Sequence, residues 1–517
     1  MKIELGQYAD RVKRTLEILD KQDFSRRLWE KDASLWRQDE AGANLIRDRL
    51  GWLSIVADMS DQADAIMEFA EEVKGFKHAV LMGMGGSSLC PEVSRLTFGV
   101  EPGYPDLLVL DSTVPETIRQ LKKQINPDET LFIVSTKSGM TVETMSAYYY
   151  FREKADGKHF VAITDPGTPL EEEVHSAGFR SVFLNPSDIG GRYSALSYFG
   201  LVPAAIMGMD IRRLLDRAAS MIKSCGPKVK PSENPGVILG TILAEAALMG
   251  RDKLTLSLSP QIRSFGAWIE QLVAESTGKH GAGILPVESD YYGDDALTVY
   301  ISLKNEDGTR KNEPYVHLTV DDIYDLGGEY FRWEFATAVA SALLGVNAFD
   351  QPNVQEAKDR TNDILKGTIT DYELRIADWE DIPIFLSQYQ PGNYFALMAF
   401  LDKSDEVDSL LEQIQAAIQK KCQAPVTLGY GPRFLHSTGQ FHKGGPNKGL
   451  FIQFTADDPV DVPIPGQPYT FSTLKQAQAA GDAIALQSKG RPFMRIDLGS
   501  DVIGGLRRIL DLIEETN

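Results

Sequence analysis

Two loops rich in glycine and hydroxyl groups are the first places where this sequence could bind an anion. The loop GMGGSS, Gly83–Ser88, lies between a predicted strand and a predicted helix, where its glycines and Ser87 can approach an anion. The loop STKSGMTVET, Ser135–Thr144, holds an equivalent position and offers donors from Thr136, Lys137, Ser138 and Thr141. A tight turn and ordinary helix capping are the alternatives, but capping needs fewer hydroxyls. We predict that the loops bind phosphate.

An arginine and a glutamate could move a proton next to such a site. Arg192 follows two glycines in GGRYSALS, where a guanidinium could stabilise a developing oxyanion. Glu275 lies near the end of a predicted helix with one apolar face, where partial desolvation can raise the pKa of a carboxyl into the range of a general base. Taken singly, a surface ion pair for Arg192 and a solvated Glu275 are the simpler interpretations.

Lys358 and His436 complete the set of candidate residues. Lys358 lies in a predicted helix, a position that is usually exposed to solvent. His436 lies among glycines and hydroxyl residues in YGPRFLHSTGQFHKGG, which favours a functional role over a place in the core. His442 follows, but no acidic neighbour gives the spacing of a zinc site. We therefore predict no metal and no other cofactor.

Composition limits the partners of the chain. Its 517 residues carry a formal net charge of −20, with a sequence pI near 4.9, which repels nucleic acid and anionic membranes. Cys90, Cys225 and Cys422 are its only cysteines and form no CxxC pair, which is typical of a reducing compartment. Residues 1–22 predict an amphipathic helix rather than a signal peptide, and no apolar window is long enough to span a membrane. We expect a cytoplasmic protein.

Alternating apolar runs and helical patterns predict an α/β protein with mostly parallel strands. The first group of strands falls within residues 78–200, and the loops at 83–88, 135–141 and 164–168 should lie at the carboxyl ends of its strands, where ligands bind. A second group begins with the helix near residue 235. The polar run 304–314 is predicted to be a hairpin loop.

The predicted organisation has four parts. Residues 1–60 form a helical N-terminal arm, residues 61–215 a first α/β domain and residues 216–370 a second. Residues 371–517 form a C-terminal α/β extension that completes the second domain and the active site. Its strands could extend the second sheet or form a small domain, and both alternatives stay open.

Several of these motifs together resemble the glucose-6-phosphate isomerase family. GMGGSS, STKSGMTVET, GGRYSALS, EQLVAESTGK and FDQPNVQEAK occur in the order of that family over roughly residues 75–365. RLWEKDASLW and GPRFLHSTGQFHKGGPNKG are most similar to the isomerase half of bifunctional transaldolase/glucose-6-phosphate isomerase proteins. The resemblance implies two doubly wound sugar-isomerase (SIS) domains and reversible interconversion of glucose 6-phosphate and fructose 6-phosphate without metal.

The resemblance also implies roles for single residues. Glu275 would move a proton between C1 and C2 through a cis-enediol, Arg192 would stabilise the charge that develops, and His436 and Lys358 would open the sugar ring. The substrate-binding residues would be Gly86, Ser87, Thr136, Lys137, Ser138, Thr141, Gly191, Gln271 and Gln351.

The chain departs from the family in the order of its motifs. The histidine segment normally lies between the glutamate and lysine segments, whereas here His436 follows Lys358. His280 and His317 are therefore fallback candidates for ring opening. The family's histidine can come from a neighbouring subunit, so the resemblance also implies a homodimer.

Two other functions stay open from the sequence. The hydroxyl-rich loops would bind a phosphosugar equally well in a non-catalytic sensor. An isomerase acting also on mannose 6-phosphate, which differs at C2, would need a pocket feature that the sequence does not reveal.

Overall fold

The computed structural model describes residues 1–36, 40–304, 306, 314–367 and 375–515. Its strands are β1 (Lys2–Glu4), β2 (His78–Gly83), β3 (Asp106–Leu110), β4 (Thr130–Ser135), β5 (Phe160–Thr164), β6 (Ser181–Leu184), β7 (Lys253–Leu258), β8 (Leu285–Val287), β9 (Ala296–Leu303), β10 (Tyr315–Val320), β11 (Tyr394–Phe400), β12 (Val426–Tyr430), β13 (Gly449–Thr455) and β14 (Phe493–Asp497).

The helices are α1 (Ala9–Lys21), α2 (Phe24–Trp29), α3 (Glu40–Arg47), α4 (Ile55–Glu72), α5 (Leu89–Phe98), α6 (Pro115–Gln124), α7 (Val142–Arg152), α8 (Pro169–Ala177), α9 (Tyr198–Ile206), α10 (Ile211–Ser224), α11 (Pro235–Leu248), α12 (Phe265–Thr277), α13 (Leu326–Leu343), α14 (Pro352–Leu365), α15 (Ile382–Leu386), α16 (Asp405–Cys422), α17 (Gly439–Gly444), α18 (Phe471–Ser488) and α19 (Val502–Glu515). None of these helices has both the length and the apolar character needed to cross a bilayer.

The first sheet contains five parallel strands in the order β3-β2-β4-β5-β6. Alternate residues of β2 enter different apolar clusters, with Leu81 in one and Val80 and Met82 in the other. Both faces of the sheet are thus covered, which explains why its strands are continuous apolar runs in the sequence. From β2 the chain adds β3 on one side and β4, β5 and β6 on the other, so the strand order reverses between β2 and β4. The loops that follow these two strands therefore border one crevice.

The second sheet repeats this strand order, with β10-β9-β7-β8 in parallel and β1 added antiparallel to β10. The expectation of helix from the first residue is therefore wrong for Lys2–Glu4, which cover the open edge of β10. The hairpin predicted between β9 and β10 is wrong as well, because these strands are parallel. Most of the connecting run lies outside the described residues.

A third sheet, β12-β11-β13-β14, is built from the C-terminal residues alone, and all its strands are parallel. Of the two alternatives that the sequence left open, the C-terminal strands thus form a sheet of their own and do not extend the second one. The apolar run Ile382–Leu386 before it is helical, as α15. The predicted α/β fold with parallel-rich sheets is confirmed, whereas the predicted domain boundaries stay a prediction.

Candidate active site

The loops after β2 and β4 and the GGR segment meet at the crevice of the first sheet. A Cβ atom on Gly86 would collide with the carbonyl oxygen of Gly191. The loop after β2 and the GGR segment, residues 190–192, are therefore in close backbone contact. A Cβ on Gly85, which has a φ of +54°, would lie 2.8 Å from both Gln271 Nε2 and the carbonyl oxygen of His436. Only glycine fits such a conformation without strain. The first sheet, α12 and the His436 segment therefore converge at Gly85 and Gly86.

Helix α12 brings a carboxylate to this point. Its residues Phe265, Trp268 and Leu272 are buried in the core, which fixes the helix beneath the GGR segment. Glu275 is only 3% exposed; its Oε1 lies 3.2 Å from Arg192 Nη1, and its Oε2 accepts a hydrogen bond of 3.1 Å from Gln271. Arg192 is 2% exposed, so neither residue is the solvated group that its sequence alone would favour.

Four contacts hold the Arg192 guanidinium in place. Its Nε donates to Ser276 Oγ at 2.7 Å, and its Nη2 donates to the carbonyl oxygens of Ala348 and Asp350 at 2.5 and 3.2 Å. The ion pair with Glu275 supplies the fourth. Gln351 comes directly after Asp350 and precedes α14, so the arginine also fixes the backbone that leads to this candidate residue.

His436 faces a carboxylate that the sequence analysis did not single out. Its Nε2 lies 2.9 Å from Glu143 Oε1, and its carbonyl oxygen accepts a hydrogen bond of 2.7 Å from Gln271. Gln478 of α18 also donates to Glu143 Oε1, at 2.7 Å. Burial alone would raise the pKa of Glu143, but the charge and hydrogen bond of His436 outweigh it and lower this pKa below its usual value. Lys358, exposed on α14, acts in the same direction.

The second predicted phosphate loop carries its own hydrogen bonds. The hydroxyls of Thr136 and Thr141 lie 2.8 Å apart, and Ser138 is exposed. Lys137 forms an ion pair with Asp165 and donates to the carbonyl oxygen of Ser187 at 3.0 Å. Burial lowers the pKa of Lys137, and Asp165 opposes that shift. In the first loop, Ser87 is 8% exposed at the floor of the crevice.

Lys279 is a second residue whose place the sequence did not reveal. It is fully buried, donates to the carbonyl oxygen of Asn347 and lies 3.0 Å from Asp350 Oδ1. Burial and the charge of Arg192 lower the pKa of Lys279 to about 7. In the sequence it is only the last residue of the motif EQLVAESTGK. For Glu143 the available signal was that it is the only acidic residue of the motif STKSGMTVET.

The fallback histidines lie elsewhere. His280 is exposed, next to Lys279, with a left-handed φ of +54°. His317 is buried on β10, where its Nε2 forms a 2.6 Å hydrogen bond with Ser302 Oγ. His442 is buried, and its Nδ1 lies 3.0 Å from the hydroxyl oxygen of Tyr394. Burial lowers the pKa of His442 to about 3. Of the histidines considered, His436 is the one that contacts both Glu143 and Gln271.

Comparison with known proteins shows what this chain is similar to. The model of the phosphoglucose isomerase family matches residues 44–284, which include both glycine-rich loops, Arg192 and Glu275. A protein of Methanococcus maripaludis named probable glucose-6-phosphate isomerase is 28% identical, over 63% of this chain and 87% of its own length. The glucose-6-phosphate isomerase of Campylobacter jejuni is 25% identical, over 62% of this chain and 95% of its own.

Two solved structures share the fold. A hypothetical protein of Thermus thermophilus superposes with a TM-score of 0.60 at 23% identity, over 70% of this chain and 100% of its own. The glucose-6-phosphate isomerase of Chlamydia trachomatis superposes with a TM-score of 0.53 at 20% identity, over 68% of this chain and 79% of its own. Residues 44–284 of the chain are thus similar to the phosphoglucose isomerase family.

Proposed function

We propose that this protein interconverts glucose 6-phosphate and fructose 6-phosphate. The observation that carries the proposal is the buried pair of Arg192 and Glu275, 3.2 Å apart, beside two loops suited to phosphate. An aldose–ketose isomerisation needs a base that moves a proton between adjacent carbons and a cation where the oxyanion develops. The family match and the relatives named glucose-6-phosphate isomerase agree with this reaction.

In the proposed mechanism, Glu275 takes a proton from C2 of the open-chain aldose and returns it to C1. Arg192 lies beside this carboxylate and stabilises the enediol oxygens that develop during the reaction. Gln271 donates to the same carboxylate, which leaves its position little freedom. The two carbons share one face of the cis-enediol intermediate, so a single base serves both steps.

Ring opening is assigned to His436 with Lys358. His436 is oriented by Glu143, and its backbone is held by Gln271, which also contacts the proposed base. Lys358 lies close enough to affect the charge of Glu143. Phosphate would be held by the amides of Gly86 and the hydroxyls of both loops, with Lys137 shared between the ligand and Asp165.

The first test is conversion of fructose 6-phosphate to glucose 6-phosphate by purified protein in the presence of a chelator. Wild-type turnover should survive chelation, and Glu275→Gln should lower kcat by roughly two to four orders of magnitude because it removes the base. Loss of turnover in chelator would contradict the metal-free mechanism. Full activity of Glu275→Gln would contradict the role of Glu275.

The two alternatives are decided in the same assay. A phosphosugar sensor would bind fructose 6-phosphate without turning it over, and the buried Arg192–Glu275 pair argues against it. Mannose 6-phosphate serves as the second substrate for the dual-isomerase alternative. No residue around Glu275 favours either alternative.

We further propose that the protein is closest to the isomerase half of bifunctional transaldolase/isomerase proteins, because its His436 segment comes after Lys358. A cytoplasmic location is proposed from the three cysteines, which form no disulfide. The homodimer is proposed from the family resemblance alone. The contacts of His436 with Glu143 and Gln271 arise within one chain, so the proposed site does not depend on dimer formation.

A further inference from the structure

The third sheet contains a crevice that corresponds to the phosphate crevice of the first. In the first sheet, β3 and β4 flank the first strand β2, and the candidate phosphate loops follow β2 and β4. In the third sheet, β12 and β13 flank the first strand β11 in the same way. Ligands of doubly wound sheets bind beyond the carboxyl ends of the strands at this point of reversal. The ends of β11 and β13 are therefore the place to look for a second site.

A pocket of about 250 Å³ lies at this place. It is lined by the last residues of three parallel strands, Phe400 of β11, Thr455 of β13 and Asp497 of β14, and by residues of α18. Its volume is below the roughly 300–1,000 Å³ of sites for drug-sized molecules. The pocket suits a smaller ligand.

The pocket contains a polar group without a hydrogen-bond partner, the hydroxyl of Thr455, among the described residues. Its side chain lines the pocket and is 6% exposed, yet its hydroxyl has no hydrogen-bond partner in the described part of the chain. A buried hydroxyl without a partner costs about 1–3 kcal/mol. A ligand hydroxyl or amine in the pocket would satisfy it.

The charges around the pocket do not suit phosphate. Its lining contains two cationic residues, Lys475 and Arg495, and two acidic ones, Asp457 and Asp497. Lys475 is buried and already neutralised by Asp458, 2.7 Å away, and it donates to the carbonyl oxygen of Ala456 at 3.1 Å. This edge of the sheet therefore has no excess of positive charge.

We propose that this pocket binds a small, uncharged polyhydroxylated molecule, a sugar or polyol without phosphate. Each hydroxyl of such a ligand both donates and accepts hydrogen bonds. This matches a lining that contains carboxylate acceptors, cationic donors and the amide of Gln476. Phe400 and the small residues Ala479 and Ala480 supply the apolar wall that a sugar ring covers. The site is separate from Glu275 and does not rest on the isomerase activity.

Isothermal titration calorimetry of the full-length protein with D-glucose, D-fructose and D-sorbitol tests the proposal. At least one of these probes should bind saturably, and Thr455→Val and Gln476→Ala should each weaken binding about tenfold. Thr455→Val keeps the size of the side chain, and Gln476 is exposed, so the fold of at least the second variant is secure. Gln487→Ala, exposed on the same helix outside the pocket, is the matched control.

Ser87→Ala separates this pocket from the active site. Binding that persists in Ser87→Ala and weakens in the pocket variants supports the proposal. The proposal is overturned if none of the three probes binds, or if their binding weakens in Ser87→Ala and not in Thr455→Val. It is also overturned if glycine, added as a zwitterionic probe, binds at the pocket and the sugars do not.

Discussion

At the scale of single residues, His436 depends on a carboxylate far from it in the sequence. Glu143 Oε1 accepts from Gln478 and lies 2.9 Å from His436 Nε2, so it fixes the orientation of the imidazole from outside the loop that carries it. A histidine that transfers a proton during ring opening needs such a partner to select its tautomer. If His436 opens the ring as proposed, we expect Glu143 to be the residue that positions it for that step.

Glu143→Gln should reduce kcat by roughly 10- to 100-fold with little change in KM, because the amide keeps the size of the side chain and loses its charge. The primary isotope effect with glucose 6-phosphate deuterated at C2 separates this role from a structural one. If ring opening becomes the slow step, that isotope effect should fall towards unity.

Glu153→Gln, an exposed glutamate just after the same helix, is the control and should leave both quantities unchanged. An undiminished isotope effect in Glu143→Gln, together with a reduced kcat, would show that Glu143 serves the proton transfer at C1 and C2 instead.

At the scale of elements, the short helical turn Arg433–His436 is held by a cluster of buried charges. Arg433 Nε lies 3.1 Å from Asp111 Oδ2, which follows β3. Glu92 of α5, Glu270 of α12 and Glu288 after β8 also act on the charge of this arginine. Arg433 therefore ties the third sheet to the first two, next to His436, the residue proposed to open the ring.

One carboxyl of this cluster makes stability depend on pH. Burial and the neighbouring Glu288 raise the pKa of Glu270 from 4.5 to about 8, although Arg433 and a hydrogen bond from Ser437 oppose the shift. Between these values the folded chain holds a proton that the unfolded chain has lost. The free energy of unfolding should therefore decrease as the pH rises from about 4.5 to about 8.

Glu270→Gln removes this proton linkage. The free energy of unfolding of the variant, relative to that of the wild type, should therefore be higher at pH 8 than at pH 5, by on the order of 1–3 kcal/mol. Denaturant unfolding at both pH values measures the difference. Glu17→Gln, on the exposed face of α1, should follow the wild type. An equal pH dependence in Glu270→Gln would show that Glu270 is ionised in the fold.

At the scale of the whole molecule, one chain supplies every group of the candidate site. Helix α7, which follows β4, contributes Glu143, and the turn after β6 contributes Arg192. Helix α12 contributes Glu275, and the segment that follows β12 of the third sheet contributes His436. Because these predicted groups already contact one another within the described part of the chain, we expect that no partner subunit is needed to complete the site.

Specific activity should therefore stay constant as the protein is diluted through any dissociation of an oligomer. Initial rates across a wide range of protein concentration, with sedimentation measured in parallel, provide the check. A fall in specific activity that tracks the loss of a dimer would show that the subunit contact completes the site.

Much of this architecture could be predicted from the sequence, and the exceptions have physical reasons. The buried strands β2 and β4 are continuous apolar runs, so they and the loops after them were predictable. Strand β1 was not, because three residues form a strand only when an open edge such as β10 is present. Likewise, the separate third sheet and the pairing of Glu143 with His436 depend on contacts between distant parts of the chain, which local patterns do not encode.

The central claim, proton transfer by Glu275 through an enediol, is tested most directly by turning over fructose 6-phosphate in deuterium oxide. The account predicts that NMR of the product shows deuterium at C2 of glucose 6-phosphate, and that Glu275→Gln forms no labelled product at a measurable rate. Product formed at the wild-type rate without deuterium would point to an internal hydride shift, and labelling that persists in Glu275→Gln would assign the base to another residue.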